Sequence, residues 1–186
     1  MSITFVIIGL ILLITIFIII LYNRLITLKN NRENAFADID VQLKQRYNLI
    51  PQLVETIKGY LQHEEKVLTE VTNARTQANQ AQTIDEKIQA DIGMTQALKG
   101  LNIAVEAYPD LKSNQNFQQL QTELSDLENK IAAARRFFNS ATKELNTAIQ
   151  MFPSNLIAGI FNFKEETMFS LGDNRSEIEK APEVKF

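Results

Sequence analysis

The chain has 186 residues, of which 45% are hydrophobic and 22% are charged, and its formal net charge is −3. This negative balance, without a basic stripe, disfavours nucleic acid as a partner. The chain has no cysteine, which excludes disulfides, thiolate nucleophiles and cysteine-ligated metal sites. Glycine and proline total only ten residues, which favours long helices.

The first predicted element is an uncharged run over residues 3–21, ITFVIIGLILLITIFIIIL. As a helix it spans about 28 Å, close to the ~30 Å hydrocarbon core of a bilayer. A cleaved signal peptide would need a basic residue before this run and small residues at a cleavage site after it. Neither is found, so we predict a retained membrane anchor over residues 1–22. The side chains assigned to lipid are Ile3, Phe5, Ile8, Leu12, Phe17 and Leu21.

Basic residues follow the anchor, namely Arg24, Lys29 and Arg32, whereas none precedes it. The positive-inside rule therefore predicts a single-pass protein of the cell membrane with its N-terminus outside and the following domain in the cytoplasm. The lipid bilayer is the first partner that the sequence implies.

After the anchor, one helical face recurs every three or four residues. Its members are Leu25, Leu28, Arg32, Ala35, Ile39, Leu43, Arg46 and Ile50. Pro51 lacks an N–H and crowds the carbonyl of Tyr47, which predicts a helix kink or a restart at this position. The pattern then resumes and continues to Ala78.

Two further helices are predicted. Thr83 and Glu86 form a capping box that begins the first, which ends at Tyr108. Its predicted buried face is Ile84, Ile88, Ile92, Leu98, Leu101 and Val105. Ser113 or Asn114 caps the second. The buried seam of that helix has a period of 3.5 residues and comprises Phe117, Leu120, Leu124, Leu127, Ile131, Ala134, Phe138, Ala141, Leu145, Ala148 and Phe152.

The predicted fold class is all-α: an N-terminal transmembrane helix followed by an antiparallel up-and-down bundle over residues 23–169. The bundle has three or four long helices, depending on whether Pro51 kinks or breaks the first. Residues 155–163, NLIAGIFNF, hold a short helix that either docks on the bundle end or lies at the membrane surface. Residues 170–186 are polar and are predicted to be a disordered tail.

Arg46 is a charged residue on an apolar face, and a buried charge needs a partner. The candidate partners are Glu55, Glu106, Glu123 and Glu128. A structural ion pair that fixes the helix register is the favoured interpretation. A polar cleft for a ligand or a partner peptide is the alternative.

The sequence contains no motif that predicts a catalytic site or a metal site. His63 is the one histidine, whereas a helical zinc-protease motif needs two, four residues apart. A di-iron site in a bundle needs two Glu-x-x-His motifs. We favour a surface role for His63 over pH sensing, and we assign no catalytic residue, no metal ligand and no cofactor.

Several separate stretches resemble the LemA family. They include YNRLITLKNN, IDVQLKQRYNLIPQLVETIKGY, HEEKVLTEVTNAR, AVEAYPDLKSNQNFQQLQTEL, LENKIAAARRFFNSATKELNTAI and FPSNLIAGIFNF. The resemblance covers nearly the whole chain except a Gln-rich linker and the tail. It implies a bacterial protein with one N-terminal transmembrane helix and an up-and-down bundle. It also implies an accessory role in envelope maintenance, linked with membrane peptidases of the HtpX type, and it supplies no catalytic residues.

The expected function is a non-catalytic scaffold or interaction protein that presents a cytoplasmic helical bundle. Its expected partners are the bilayer, a membrane or cytoplasmic protein, or a second copy of the chain. The alternative is a sensor, in which the bundle binds a small ligand or peptide near Arg46 and is coupled to the anchor. An enzyme is not expected.

Overall fold

The computed structural model describes residues 2–60 and 64–170, which form six helices and no strand. The helices are α1 (Ser2–Lys58), α2 (Glu65–Gln80), α3 (Ile84–Val105), α4 (Pro109–Lys112), α5 (Gln115–Gln150) and α6 (Ser154–Ile160). The predicted tail from residue 171 onward and His63 lie outside the described residues.

Helix α1 passes through Pro51 without a break, so the predicted restart at this residue is wrong. The chain leaves the helix after Lys58, and Gly59 follows. Pro51 is exposed, so its ring does not disturb the core. The backbone oxygen of Tyr47, which Pro51 cannot bond, instead accepts a hydrogen bond from Arg75 Nε at 3.0 Å. A bend at Pro51 stays a prediction.

The predicted start of α3 is confirmed. The backbone N–H of Glu86 donates to Thr83 Oγ1 at 3.2 Å, and the backbone N–H of Thr83 donates to Glu86 Oε2 at 3.0 Å. The helix ends at Val105, three residues before the predicted end, and Pro109 begins the one-turn helix α4.

The buried face of α3 differs from the predicted one. Its buried members are Ile88, Asp91, Met94, Ala97, Leu101 and Val105. Ile84, Ile92 and Leu98, which we expected in the core, are only half-buried. The reason is that Asp91 turns inward, which rotates the face away from the purely apolar pattern.

The cap of α5 is confirmed at Asn114, whose Oδ1 accepts the N–H of Phe117 at 3.1 Å. Most of the predicted seam is buried, with Leu124 and Ala134 half-buried. Phe152 is an exception: α5 ends at Gln150, and the Phe152 side chain is 77% exposed. The helical period no longer applies beyond the helix end, so this part of the seam prediction is wrong.

The helices contribute to two compact units. The first contains the chain up to Ile39 together with Ala133–Met168. Within it, Leu25 of α1 lies in one cluster with Ala148 of α5. Further along α1, the ring of Phe36 packs edge-on against Phe138, with ring centroids 5.5 Å apart. From Leu25 to Phe36 along α1, the contacting residue on α5 moves back from Ala148 to Phe138, so these two segments are antiparallel.

Of the described residues, the second unit contains 40–60, 64–132 and 169–170. Helices α2 and α3 pack against each other across a short connection, as an antiparallel pair. Asp40 of α1 pairs with Lys87 of α3, and Arg46, further along α1, pairs with Asp91, further along α3. These two helices are therefore parallel.

Helix α5 runs opposite to α1 in this second unit as well. The end of α1 meets the start of α5, where Asn114 Nδ2 donates to the hydroxyl of Tyr60 at 3.1 Å. Earlier on α1, Arg46 meets Glu128 further along α5. Four long helices therefore alternate in direction, which confirms the predicted up-and-down bundle.

The anchor residues all lie on α1. Ile3, Phe5, Ile8, Leu12 and Phe17 are exposed. Leu21 is half-buried, because it packs against the cluster around Leu25. Among the described residues, α1 is the one helix long and apolar enough to cross a membrane, and none of its most apolar stretch is buried within the protein. By length and composition, this helix can cross a membrane, as the predicted anchor requires.

Candidate functional site

A buried cluster of charged residues surrounds Arg46 in the second unit. The side chain of Arg46 is fully buried. Its Nη2 donates to Asp91 Oδ1, and its Nη1 donates to Glu128 Oε1. Nη1 also lies 3.4 Å from Thr95 Oγ1. One guanidinium thus joins α1 to α3 and α5.

The two carboxylates that meet Arg46 have different surroundings. The Asp91 side chain is as buried as that of Arg46, whereas the Glu128 side chain is 41% exposed. A buried charge is tolerated only where a partner compensates it. Asp91 is therefore the partner that offsets the burial of Arg46, while Glu128 connects the cluster to solvent.

Tyr47 borders this cluster. The Cζ of Arg46 lies 5.8 Å from the centroid of the Tyr47 ring. Burial raises the pKa of Tyr47 to about 12, and the negative charge of Asp91 adds to this effect. Neither the Tyr47 hydroxyl nor Arg46 Nε has a hydrogen-bond partner among the described residues. The phenol accordingly stays protonated near neutral pH.

A surface cavity of about 380 Å³ opens beside Glu128. Its lining combines the apolar side chains of Leu53, Leu98 and Leu124 with the polar side chains of Asn102, Gln121, Ser125 and Glu128. Polar groups in a pocket can fix the orientation of a bound ligand. Because Glu128 lines the cavity and bonds Arg46, a bound ligand would touch the buried cluster through this carboxylate.

Of the four predicted partners of Arg46, the structure brings Glu128 to it and places the others elsewhere. Glu55 is exposed on α1. Glu106 accepts a hydrogen bond from Lys112 Nζ at 2.6 Å, and Glu123 accepts one from Gln119 Nε2 at 3.0 Å.

Sequence reasoning missed Asp91, which is the buried partner. A signal existed: Asp91 lies three residues after Ile88 and three before Met94, on the helical face that both share.

A second buried arginine, Arg32, lies in the first unit, and sequence reasoning placed it on the apolar face without a partner. Its Nη1 lies 3.2 Å from Glu166 Oε2, and its Nη2 donates to the backbone oxygen of Thr167 at 3.2 Å. Its Cζ lies 4.9 Å from the centroid of the Phe138 ring. Arg32 therefore fastens the segment after α6 to α1.

Asn146 of α5 holds the same segment through its amide. Its Nδ2 donates to the backbone oxygen of Glu166 at 2.9 Å, and its Oδ1 accepts the N–H of Glu166 at 2.8 Å. The amide therefore binds both backbone groups of one residue, in the way a neighbouring strand would. No sequence pattern signals this contact, because it joins positions 20 residues apart across α6.

No group of three or more Asp, Glu or His side chains placed to hold a metal ion occurs within residues 2–60 and 64–170.

The chain is similar to several known proteins. It is 28% identical over 164 residues to Protein LemA of Metamycoplasma hominis, covering 85% of this chain and 71% of the relative. It is 26% identical over 174 residues to Magnetosome protein MamQ 1 of Paramagnetospirillum magneticum, and 24% identical over 174 residues to Magnetosome protein MamQ of Magnetospirillum gryphiswaldense. Each MamQ match covers 80% of this chain and 64% of the relative, so the chain spans a little under two thirds of their length.

A model of the LemA family matches residues 35–186. The matched region begins on α1 after the apolar span and includes Arg46, Asp91 and Glu128. Because the match covers well over half of the chain, this protein belongs to the LemA family.

Proposed function

We propose that the protein is a membrane-anchored, non-catalytic interaction protein that presents its helical bundle on the cytoplasmic side. The observation that carries this proposal is the continuity of α1, which holds both the apolar span and Arg46. Because Arg46 is bonded to α3 and α5, the anchor helix is itself one of the core helices of the bundle. Partners that bind the bundle are thereby brought to the membrane.

The chemistry of the charged cluster supports a structural role. A guanidinium keeps its charge at any physiological pH. Tyr47 has a pKa of about 12, far from the range in which a general base operates. Asp91 is buried against Arg46 and out of reach of solvent.

The cytoplasmic side is supported by Arg24 and Lys29, which are exposed on α1 just after the span. The partner classes that fit this position are a membrane protein, a cytoplasmic protein or a second copy. The family resemblance suggests a membrane peptidase of the HtpX type as one candidate. The MamQ relatives are named as magnetosome proteins.

Photo-crosslinking in living cells tests this proposal. A photoreactive residue is placed at Phe137 on α5 or at Ile103 on α3, which are exposed apolar positions. Lys66 on α2, whose side chain is 90% exposed, serves as a polar control. The proposal predicts discrete crosslinked products from at least one apolar position. These products should persist when residues 3–21 are exchanged for an unrelated apolar span. A chain that stays strictly monomeric and uncrosslinked at both positions would contradict it.

The cavity beside Glu128 favours a second candidate function, a sensor that binds a small ligand or peptide. A ligand bound there would act on Arg46 through Glu128, and thus on the anchor helix. Thermal unfolding of the full chain in detergent, measured against a panel of metabolites and short peptides, tests this idea. A genuine ligand should raise the melting temperature of the wild type and not that of a Gln121→Trp variant, in which the cavity is filled. If no compound stabilises the wild type, the sensor hypothesis fails.

A further inference from the structure

An exposed apolar surface surrounds α6 in the first unit. Its members, which we call the α6 patch, are Met151, Phe152, Leu156, Ile160 and Phe161, and all of them are exposed. Residues 145–163 contain no charged side chain. Isolated apolar residues at a surface are ordinary, but a contiguous group marks a contact surface.

The opposite side of α6 is already occupied. Ile157 and Ala158 are buried in a cluster with Leu25 of α1 and Ala148 of α5. Beyond Ser154 and Asn155, α6 carries only apolar residues and glycine, and Leu156 and Ile160 are exposed, so its uncovered side calls for a second apolar environment. The α6 patch is the side that still lacks one within the first unit.

Aromatic contacts place the α6 patch beside the end of the membrane span. Tyr22 is the residue that follows the span on α1. Its ring centroid lies 4.6 Å from that of Phe161 and 6.1 Å from that of Phe163. Leu21, the last residue of the span, packs against the same cluster as α6. The patch therefore begins at the level where α1 leaves the hydrocarbon core.

We propose that the α6 patch is a second membrane contact, which inserts into the headgroup and acyl-chain boundary of the leaflet that faces the bundle. Tyrosine is enriched at this boundary, and apolar helix faces bury about 5 to 10 Å into it. The occupant is lipid because Tyr22, directly after the apolar span, packs against Phe161 of the patch, so that the patch adjoins the end of the exposed apolar surface of α1. This inference goes beyond the scaffold proposal and rests only on the anchor.

Tryptophan fluorescence tests the proposal in the full chain. The protein has no tryptophan, so a single introduced one is a unique reporter. Phe152→Trp and Ile160→Trp place it in the α6 patch, where the native side chains are 77% and 74% exposed. Phe137→Trp is the matched control, an exposed aromatic position on α5 that lies about 20 Å further along the helix pair from Tyr22. Each variant is reconstituted into vesicles of phosphatidylcholine, with and without brominated acyl chains.

The proposal predicts blue-shifted emission at positions 152 and 160, with quenching by bromines placed near the carbonyl end of the acyl chains. Position 137 should show solvent-like emission and little quenching. Solvent-like, unquenched emission at 152 and 160 would overturn the proposal. Blue-shifted emission that bromolipid does not quench would also overturn it, since a protein partner or a second copy would then cover the patch. Helical circular dichroism of each variant confirms that it is folded.

Discussion

The Nε of Arg75 on α2 donates a hydrogen bond to the backbone oxygen of Tyr47 on α1, at 3.0 Å. This oxygen is the one that Pro51 leaves without its intrahelical donor, because proline has no N–H to offer the fourth residue before it. A side chain from another helix thus replaces the missing bond. The replacement offsets part of the cost of Pro51 inside a helix that continues to Lys58.

A double-mutant cycle tests this compensation. Arg75→Met is expected to lower the free energy of unfolding by about 1 to 2 kcal/mol, because the Tyr47 oxygen loses its donor in a partly buried position. In a Pro51→Ala background the same change should cost less than half as much, since the restored N–H bonds that oxygen. Urea unfolding in detergent measures both, with Lys66→Met as the exposed control on α2. Equal losses in the two backgrounds would contradict the compensation.

Breaking the buried ion pair between Arg46 and Asp91 should lower the free energy of unfolding more than the other substitutions do. Arg46→Met is expected to cost about 3 to 5 kcal/mol, because it removes the group that compensates the buried charge of Asp91. Replacing both residues, as Arg46→Met with Asp91→Val, should recover most of this loss, since an apolar pair of similar volume needs no compensation. Chemical unfolding of the three proteins gives the comparison.

The partly exposed carboxylate of the same cluster provides the control. Glu128→Gln should cost about 1 kcal/mol or less, because its side chain is 41% exposed and solvent screens its charge. If Arg46→Met melts like the wild type, the structural role of the ion pair is wrong.

Asp40 should give the bundle a measurable pH dependence. Burial raises the pKa of this carboxyl, but hydrogen bonds from Lys44 and Lys87, both at 2.8 Å, outweigh burial and hold the pKa below its usual value. Because the pKa of Asp40 is lower in the folded protein than in the unfolded chain, its ionised carboxylate stabilises the fold at pH values above the unfolded pKa of about 4. This stabilisation is lost as the pH falls through the folded pKa. Asp40→Asn should therefore destabilise the protein near neutral pH, and the difference from wild type should shrink below about pH 4. A constant difference across this range would exclude the carboxylate as its origin.

The segment after α6 should depend on the amide of Asn146. Asn146→Ala removes two hydrogen bonds to the backbone of Glu166, so amide hydrogen exchange in residues 164–168 should become at least about tenfold faster, the factor that corresponds to one such bond. Glu166→Gln keeps the backbone contacts and weakens only the contact with Arg32, so it should change exchange much less. Identical exchange in Asn146→Ala and the wild type would show that other contacts hold the segment.

The sequence predicted the features that have local causes. The capping box of Thr83 and Glu86, the cap at Asn114 and the buried face of α1 all depend on residues a few positions apart, and the structure confirms them. The unpredicted features depend on distant residues. Arg75 lies 28 positions from Tyr47, and Asp91 lies 45 positions from Arg46. Helical spacing can place a charged residue such as Arg46 or Asp91 on a buried face, but it does not show which distant residue will be its partner.

The α6 patch shows another limit of the pattern. The 3.5-residue period predicted that Phe152 is buried, but α5 ends before it, and the residue is exposed beside the end of the membrane span. An apolar residue such as Phe152 suits either a protein core or a bilayer. Hydrophobicity alone does not distinguish these two environments, whereas the contact between Tyr22 and Phe161 does.

Sidedness is the most direct test of the central claim, that α1 anchors a cytoplasmic bundle in the membrane. The chain has no cysteine, so Lys66→Cys, at a position whose native side chain is 90% exposed, gives a unique label site. A second variant carries one cysteine on an added N-terminal extension. Intact protoplasts or spheroplasts are treated with a membrane-impermeant maleimide before and after lysis. If the bundle is cytoplasmic and the N-terminus outside, position 66 is labelled only after lysis, while the N-terminal cysteine is labelled in intact cells. Labelling of position 66 in intact cells would contradict it and place the bundle outside the cytoplasm.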